Sequence, residues 1–153
     1  MSRLLLHSLR SSTRLTQSTT PFVRSYAMSA APYTTVSTPN APSAVGPYSQ
    51  AIKTDSLIFC SGCVPLVPET MKVIEGGVEE HTEQAMKNLA AVLEGAGSDL
   101  SHVVKTTVFL KNMVNAIYSK HFRDAKPARS CVEVARLPLG VLFEIEAIAL
   151  PKK

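Results

Sequence analysis

No run of apolar residues in this chain approaches the ~20 residues that a membrane-spanning helix needs, so the sequence predicts no transmembrane segment. Several motifs of common active sites are also missing: a glycine-rich phosphate loop, a GxSxG nucleophile turn and histidines at metal-ligand spacing. No stripe of alternating aromatic and basic residues suggests a nucleic-acid surface. These absences predict that any catalysis here uses no metal and no organic cofactor.

Acidic residues are absent from the start of the chain, and the first of them is Asp55. Of the 16 basic residues, four lie in residues 1–27, which we call the leader: Arg3, Arg10, Arg14 and Arg24. The 12 basic residues that remain are balanced by 12 acidic ones, so the leader alone carries the net charge of +4. A formally neutral remainder argues against nucleic acid as a partner, because phosphate contacts need clustered cations.

The composition of residues 1–27 is typical of a mitochondrial transit peptide, since it combines arginines, many Ser and Thr residues and scattered leucines with no acid. A secretory signal would need a longer apolar core than Leu4 to Leu6. We therefore expect a mitochondrial matrix protein that is processed between Arg24 and Ala31. The alternative for the leader is a disordered polar tail.

The chain has three cysteines, an odd number that does not suggest a disulfide framework, and the matrix would keep them reduced. Cys60 and Cys63 have CxxC spacing, which suggests a redox dithiol or half of a zinc site. Zinc would need two more ligands that the spacing does not supply, and Val64-Pro65 follows where a redox motif would open a helix. A thiol redox role is therefore the weakest hypothesis.

Hydrophobic periodicity predicts a mixture of helices and strands. Strands are expected at 57–60, 103–110, 130–135 and 142–149, a long helix at 78–94 and a shorter one at 114–122. The prolines between positions 31 and 47 favour extended chain and turns. This order predicts an α+β domain in which one sheet is covered by helices on one face.

Two side chains on the strand near residue 130 indicate a binding pocket for a small acid. Arg129 and Cys131 are two residues apart and should point to the same face of the strand. An arginine holds a carboxylate through two parallel hydrogen bonds, and the thiol would lie beside the bound molecule. The alternative is that Arg129 makes a surface ion pair and Cys131 is a small core residue.

Glu144 and Glu146 alternate with apolar residues, so both acids should lie on one side of the last strand. If that strand pairs with 130–135 as a hairpin, a carboxylate lies close to Arg129 and Cys131 and could orient or deprotonate a water. The alternative is two acids in solvent. Tyr48 follows a rigid Gly-Pro turn and either covers a pocket or packs at the edge of the core.

Several motifs, in order along the chain, resemble the RidA family (YjgF/YER057c/UK114) of reactive-intermediate deaminases. They are GPYSQA at 46–51, Ser61-Gly62, KTTVFL at 105–110, PARSCVEVARLP at 127–138 and EIEAIA at 144–149. The resemblance implies one RidA-like domain over residues 33–151. It also implies a chorismate-mutase-like α+β fold that assembles as a homotrimer with three pockets between subunits.

The resemblance further implies hydrolysis of 2-iminoacids, such as 2-iminobutanoate and 2-iminopropanoate, and of the enamine 2-aminoacrylate, to 2-oxoacids and ammonia. Such a hydrolase protects pyridoxal-phosphate enzymes from these products. Arg129 would hold the substrate carboxylate, Glu144 would hold the attacking water and Cys131 would line the pocket. Tyr48, Ser61 and Asn115 would line the same pocket and bind substrate.

The chain departs from the family pattern at a few places. Cys63 and His81 stand where glutamine is frequent, and about five residues are missing before Asn115, which could move that residue or weaken the subunit boundary. The shortened segment leaves open an alternative of the same fold: a non-catalytic ligand-binding or chaperone-like protein, or a ribonuclease or translation inhibitor.

Overall fold

A computed structural model describes residues 31–110, 116–122 and 126–153 of the chain. The strands there are β1 (Thr34–Val36), β2 (Ala51–Lys53), β3 (Ile58–Cys63), β4 (Val103–Leu110), β5 (Ala128–Glu133) and β6 (Phe143–Ala149). The α-helices are α1 (Val78–Gly95) and α2 (Ala116–His121), and short 3-10 helices at Leu100–His102 and Pro138–Gly140 precede β4 and β6. Residues Ala31–Lys153 form one compact unit.

The described strands form one mixed sheet in the order β1-β2-β3-β6-β4-β5. Among the strands that the structure describes, only β4 and β5 are parallel, because α2 lies between them in the chain and a crossover of this kind returns the chain to the end where β4 began. The condition considered above, a hairpin of β5 and β6, is therefore not met: β4 lies between them and pairs with both. This separation has consequences for the site.

Helix α1 forms because its apolar residues recur every three or four positions and create one continuous face. At its start the backbone N–H of Gly77 donates to Oε2 of Glu80 at 2.8 Å, and after its end Gly97 has a φ of +76°. Met86, Leu89 and Leu93 are fully buried in the same core as β3 and β6. Each such side chain contributes about 1.5–3 kcal/mol of hydrophobic stabilisation.

The sheet has two different faces, which we call the covered face and the open face. On the covered face the alternate residues of β6 from Phe143 to Ala149 are buried beneath α1, and α2 packs there too, since Tyr118 bonds to Thr106 of β4. The open face includes Phe59, which is 43% exposed, and Ile148. The predicted fold class, α+β with a mixed sheet and helices on one face, is confirmed.

The short strands β1 and β2 were not predicted as strands, because three residues are too few to show an alternating pattern. They extend the sheet beside β3 and bring the loop before β2 next to its end. No helix among the described residues is long and apolar enough to cross a membrane.

Candidate functional site

A β-bulge in β3 shapes the candidate site. Cys60 pairs with Ala147 of β6 and Cys63 pairs with Ile145, so three steps along β3 oppose only two steps along β6. The extra residue lets both cysteines be buried in the core, and it leaves Ser61 and Gly62 between them at a cavity. The sequence did not predict this bulge, although the Ser-Gly pair marks its place.

The cavity at the bulge has a volume of about 400 Å³. Its wall brings together three of the predicted site residues, Tyr48, Ser61 and Glu144. The remaining wall is mainly apolar, and it comes from the loop before β2, the segment after β3, helix α1 and the turn before β6: Pro42, Val45, Val64, Leu66, Val92, Pro138 and Leu139. Such a wall with few polar groups is typical of small-molecule sites.

Glu144 enters the cavity because Gly62 has no side chain. A Cβ atom built on Gly62 would lie 2.9 Å from Cδ of Glu144, closer than real Cβ contacts allow. Burial raises the pKa of the Glu144 carboxyl, and the nearby negative charge of Glu146 raises it further. A half-buried carboxyl with a raised pKa holds a proton more readily than an exposed one, and it is therefore suited to accept a proton and return it.

The loop that carries Tyr48 is fixed by hydrogen bonds. Ser61 donates its hydroxyl to the carbonyl of Ser49 at 2.6 Å, and its backbone N–H donates to the carbonyl of Gln50 at 3.0 Å. The Tyr48 hydroxyl accepts from the N–H of Val45 at 3.3 Å, and the residue is 49% exposed. Tyr48 therefore lies at the mouth of the cavity on a rigid loop.

Gln50 anchors the same loop from inside, and no role was predicted for it. Its side-chain carbonyl accepts from the N–H of Thr38 at 2.6 Å. Its amide donates to the carbonyls of Thr38, Ala41 and Pro42 at 3.1, 3.2 and 2.8 Å. A buried glutamine with this many partners fixes the backbone around it, because each broken bond would leave a buried polar group unsatisfied.

Leu139 also lines the cavity and was missed by the sequence interpretation. It is 68% exposed and has a φ of +57°, a conformation that costs energy for a bulky residue. Its only sequence signal is its place in the turn between Pro138 and Gly140. An exposed apolar side chain held in this conformation at a cavity rim is available to a ligand or to a second chain.

Arg129 and Cys131 point to the same face of β5, as their spacing predicts. They pair in register with Thr106 and Val108 of β4, which are both buried on the covered face. The guanidinium carbon of Arg129 lies over the ring of Tyr118, 4.8 Å from its centroid. Cys131 is half-buried and packs against the core.

Within one chain these residues do not reach the cavity that holds Glu144. Arg129 lies on the covered face, whereas Glu144 alternates with the buried residues of β6 and points away from that face. Strand β4 also lies between β5 and β6. The predicted residues thus form two groups, Tyr48, Ser61 and Glu144 in one and Arg129 and Cys131 in the other.

Asn115 lies outside the described residues. The CxxC thiols are described and buried: burial raises the pKa of Cys60 to about 12 and raises that of Cys63 as well. Thiols held in the protonated form are poor nucleophiles and poor metal ligands, which opposes a redox role. Among the described residues, no group of three or more His, Cys, Asp or Glu side chains could hold a metal ion.

Comparison with known proteins places this geometry in a family. Residues 38–151 match the family model described as Endoribonuclease L-PSP. The chloroplastic Reactive Intermediate Deaminase A of Arabidopsis thaliana is 50% identical over 119 residues, which are 74% of this chain and 64% of that protein. The 2-iminobutanoate/2-iminopropanoate deaminase of Mus musculus is 48% identical over 120 residues, which are 75% of this chain and 89% of that protein.

Solved structures agree with this placement. The crystal structure of E. coli TdcF with bound serine superposes with a TM-score of 0.74 at 35% sequence identity, over 78% of this chain and 99% of that one. The family model spans the cavity, the bulge and strand β5. This chain therefore belongs to the Endoribonuclease L-PSP family, the same RidA family that its motifs resemble.

Proposed function

We propose that this protein hydrolyses reactive 2-iminoacids and their enamine tautomers to 2-oxoacids and ammonia. The observation that carries the proposal is the Glu144 carboxyl, which a glycine admits to a mainly apolar cavity and whose pKa burial raises. The names of relatives near 50% identity support the same chemistry, since they describe reactive-intermediate and 2-iminobutanoate/2-iminopropanoate deaminases. The small carboxylate-bearing ligand in TdcF agrees with a substrate of this size.

The reaction needs few groups because an iminium carbon is already electrophilic. Glu144 takes a proton from water as the water oxygen bonds to C2 of the substrate, giving a carbinolamine. The carboxyl then returns that proton to the nitrogen, the C–N bond breaks and ammonia leaves, and loss of the hydroxyl proton gives the 2-oxoacid. Arg129 binds the substrate carboxylate and fixes C2 relative to the water.

We propose that the complete site lies between two copies of the chain, in a homotrimer. One chain holds Arg129 and Glu144 on different faces of the sheet, so a pocket that contains both requires Arg129 of a second copy. The open face, with Phe59 and Ile148 partly exposed, offers an apolar surface that a subunit contact would bury. Mass measurement in solution by light scattering tests this directly: a monomer would contradict it.

Turnover tests the proposed activity. Threonine dehydratase supplies 2-iminobutanoate, and the formation of 2-oxobutanoate and ammonia is followed with and without the protein. We expect hydrolysis faster than the spontaneous rate, and Arg129→Ala should remove the acceleration. Lys87→Ala, at an exposed position of α1 outside both site groups, is the matched control. No acceleration by the wild-type protein would contradict the proposal.

Delivery to the mitochondrial matrix is a separate proposal that rests on the composition of residues 1–27. Those residues fused to a fluorescent protein should direct it to mitochondria. Replacement of Arg3, Arg10, Arg14 and Arg24 by glutamate should abolish that import, because the matrix-directing signal depends on positive charge. Unchanged localisation of the substituted fusion would contradict the proposal.

A further inference from the structure

Arg129 occupies a position where an arginine side chain would normally be mobile. It lies on β5, the edge strand of the sheet, and it is exposed. No acidic side chain among the described residues forms an ion pair with it. A mobile arginine loses rotamer entropy when a ligand fixes it, so an unsupported Arg129 would bind a carboxylate weakly.

Tyr118 of α2 supplies the missing support. The guanidinium carbon of Arg129 lies over its ring at 4.8 Å from the centroid, a distance at which cation–π attraction is effective. The cation also acts on the phenol: burial raises the pKa of Tyr118, whereas the Thr106 hydrogen bond and the charge of Arg129 lower it. The two side chains are therefore electrostatically coupled as well as in contact.

The ring of Tyr118 is itself held on two sides. Its hydroxyl and the hydroxyl of Thr106 are 2.7 Å apart, and Thr106 is fully buried on β4, directly beside Arg129 in register. The ring of Phe122 packs against it with centroids 4.7 Å apart and an interplanar angle of 39°. Tyr118 is only 8% exposed, so the ring is a fixed surface and not a mobile neighbour.

The chemistry of a guanidinium makes this contact compatible with ligand binding. Its N–H donors lie in the plane of the group and form the fork that binds a carboxylate with two hydrogen bonds. A ring that takes up the flat face leaves these in-plane donors available. Tyr118 can therefore restrict the direction of the fork without competing for it.

We propose that Tyr118 is a positioning residue for Arg129: a chain of contacts from Thr106 through Tyr118 holds the guanidinium in the orientation that receives the substrate carboxylate. The inference rests on the proposed function, because that function makes Arg129 the carboxylate ligand. It gives α2 a role beyond covering the sheet. It also explains why a tyrosine, with a hydroxyl to anchor the ring, stands on the buried side of this helix.

Three variants of the full chain separate the contributions of the Tyr118 ring, the Tyr118 hydroxyl and the packing of α2. Tyr118→Leu removes the ring, Tyr118→Phe keeps the ring and removes the anchoring hydroxyl, and Ile117→Ala disturbs the buried side of α2 at the neighbouring position. The probe is 2-oxobutanoate, whose affinity is measured by calorimetry, together with kcat and KM for the imine. Thermal unfolding shows that each variant is folded.

We expect Tyr118→Leu to weaken 2-oxobutanoate binding by about 3- to 30-fold and to raise KM similarly, the range of cation–π contributions. The affinity of Tyr118→Phe for 2-oxobutanoate should stay within about threefold of the wild-type value, because this variant keeps the ring face. Ile117→Ala should lower stability and leave the affinity unchanged. In the NMR spectrum, the Arg129 side-chain protons should show an upfield ring-current shift that is present in Tyr118→Phe and lost in Tyr118→Leu.

The failures of the two proposals are distinguishable. If wild type turns over imines but Tyr118→Leu binds 2-oxobutanoate no worse than Ile117→Ala does, the positioning role is wrong and the function stands. If wild type binds 2-oxobutanoate without turnover, the function is wrong and the affinities of the variants still decide the positioning role. If wild type neither binds 2-oxobutanoate nor turns over imines, both proposals are wrong. If it turns over imines without measurable binding, the KM values of the variants decide the positioning role, and absence of the ring-current shift overturns the contact.

Discussion

At the scale of single residues, the position of the Glu144 carboxyl depends on the absence of a side chain at Gly62. The missing side chain of Gly62 is the space that the carboxyl of Glu144 occupies. The motif Ser61-Gly62 could be recognised in the sequence, but the need for glycine could not, because the glutamate that demands it lies on another strand, more than 80 positions later.

Gly62→Ala should therefore lower kcat/KM by at least about tenfold, since a displacement of a catalytic group by about 1 Å can cost up to a hundredfold. The added methyl must displace the carboxyl of Glu144. Gly77→Ala is the matched control, because a Cβ there meets only an ordinary contact at 3.5 Å with Glu80. Equal activity of the two variants would show that Glu144 is not held by this contact.

Because the pKa of Glu144 is raised, replacing this residue with an uncharged one should have opposite effects on stability and on activity. A carboxyl whose pKa is higher in the folded protein binds more protons there than in the unfolded chain, so stability falls as pH rises from the unfolded pKa through the folded one. Above that window the buried charge costs free energy. Glu144→Gln should therefore raise Tm at neutral pH while it removes turnover.

The measurement is Tm and kcat/KM of wild type and Glu144→Gln as functions of pH. The wild-type activity should rise with pH through the folded pKa, as the base form appears. The difference in Tm between the two proteins should shrink as pH falls through the same window. A variant that is less stable than wild type at neutral pH would contradict the account of Glu144.

At the scale of elements, His81 joins three segments around the start of α1. Its Nε2 lies 3.2 Å from the carbonyl of Ile74, and its Nδ1 accepts from the backbone N–H of Leu142 at 3.1 Å. The side chain is buried, and Leu142 immediately precedes β6, the strand of Glu144. The histidine that departs from the family pattern is thus a structural link.

His81→Ala should lower the free energy of unfolding by about 1–3 kcal/mol, because it leaves partly buried backbone groups without partners. His81→Gln should recover part of the loss, since an amide supplies both a donor and an acceptor. Urea unfolding measures both, with the exposed Lys87→Ala on the same helix as control. A His81→Ala variant as stable as Lys87→Ala would show that the hydrogen bonds of His81 do not contribute to the stability of the protein.

The same scale shows what the sequence can predict. Helix α1 and strand β4 were predicted with bounds close to the observed ones, because long periodic segments reveal which side is buried. The neighbours of β5 could not be predicted, because a strand pattern records its buried side and not its partner. The position of β5 follows from the crossover through α2, and the β3 bulge follows from pairing with β6.

At the scale of the whole molecule, the separation of Arg129 from Glu144 is the main result. The sequence placed both residues in one pocket by resemblance, and one chain holds them on different faces of the sheet. This separation is expected in a symmetric assembly in which every subunit contributes Arg129 to the site shared with one neighbour and Glu144 to the site shared with another. The activity should then depend on subunit contact.

Complementation between two inactive variants tests this most directly. Arg129→Ala and Glu144→Gln are unfolded separately, mixed in equal amounts and refolded together, and imine hydrolysis is measured. If each site takes Arg129 from one chain and Glu144 from the next, random assembly restores about one quarter of wild-type activity, while each variant refolded alone stays inactive. Recovery of no activity in the mixture, with trimers confirmed by light scattering, would contradict the shared site.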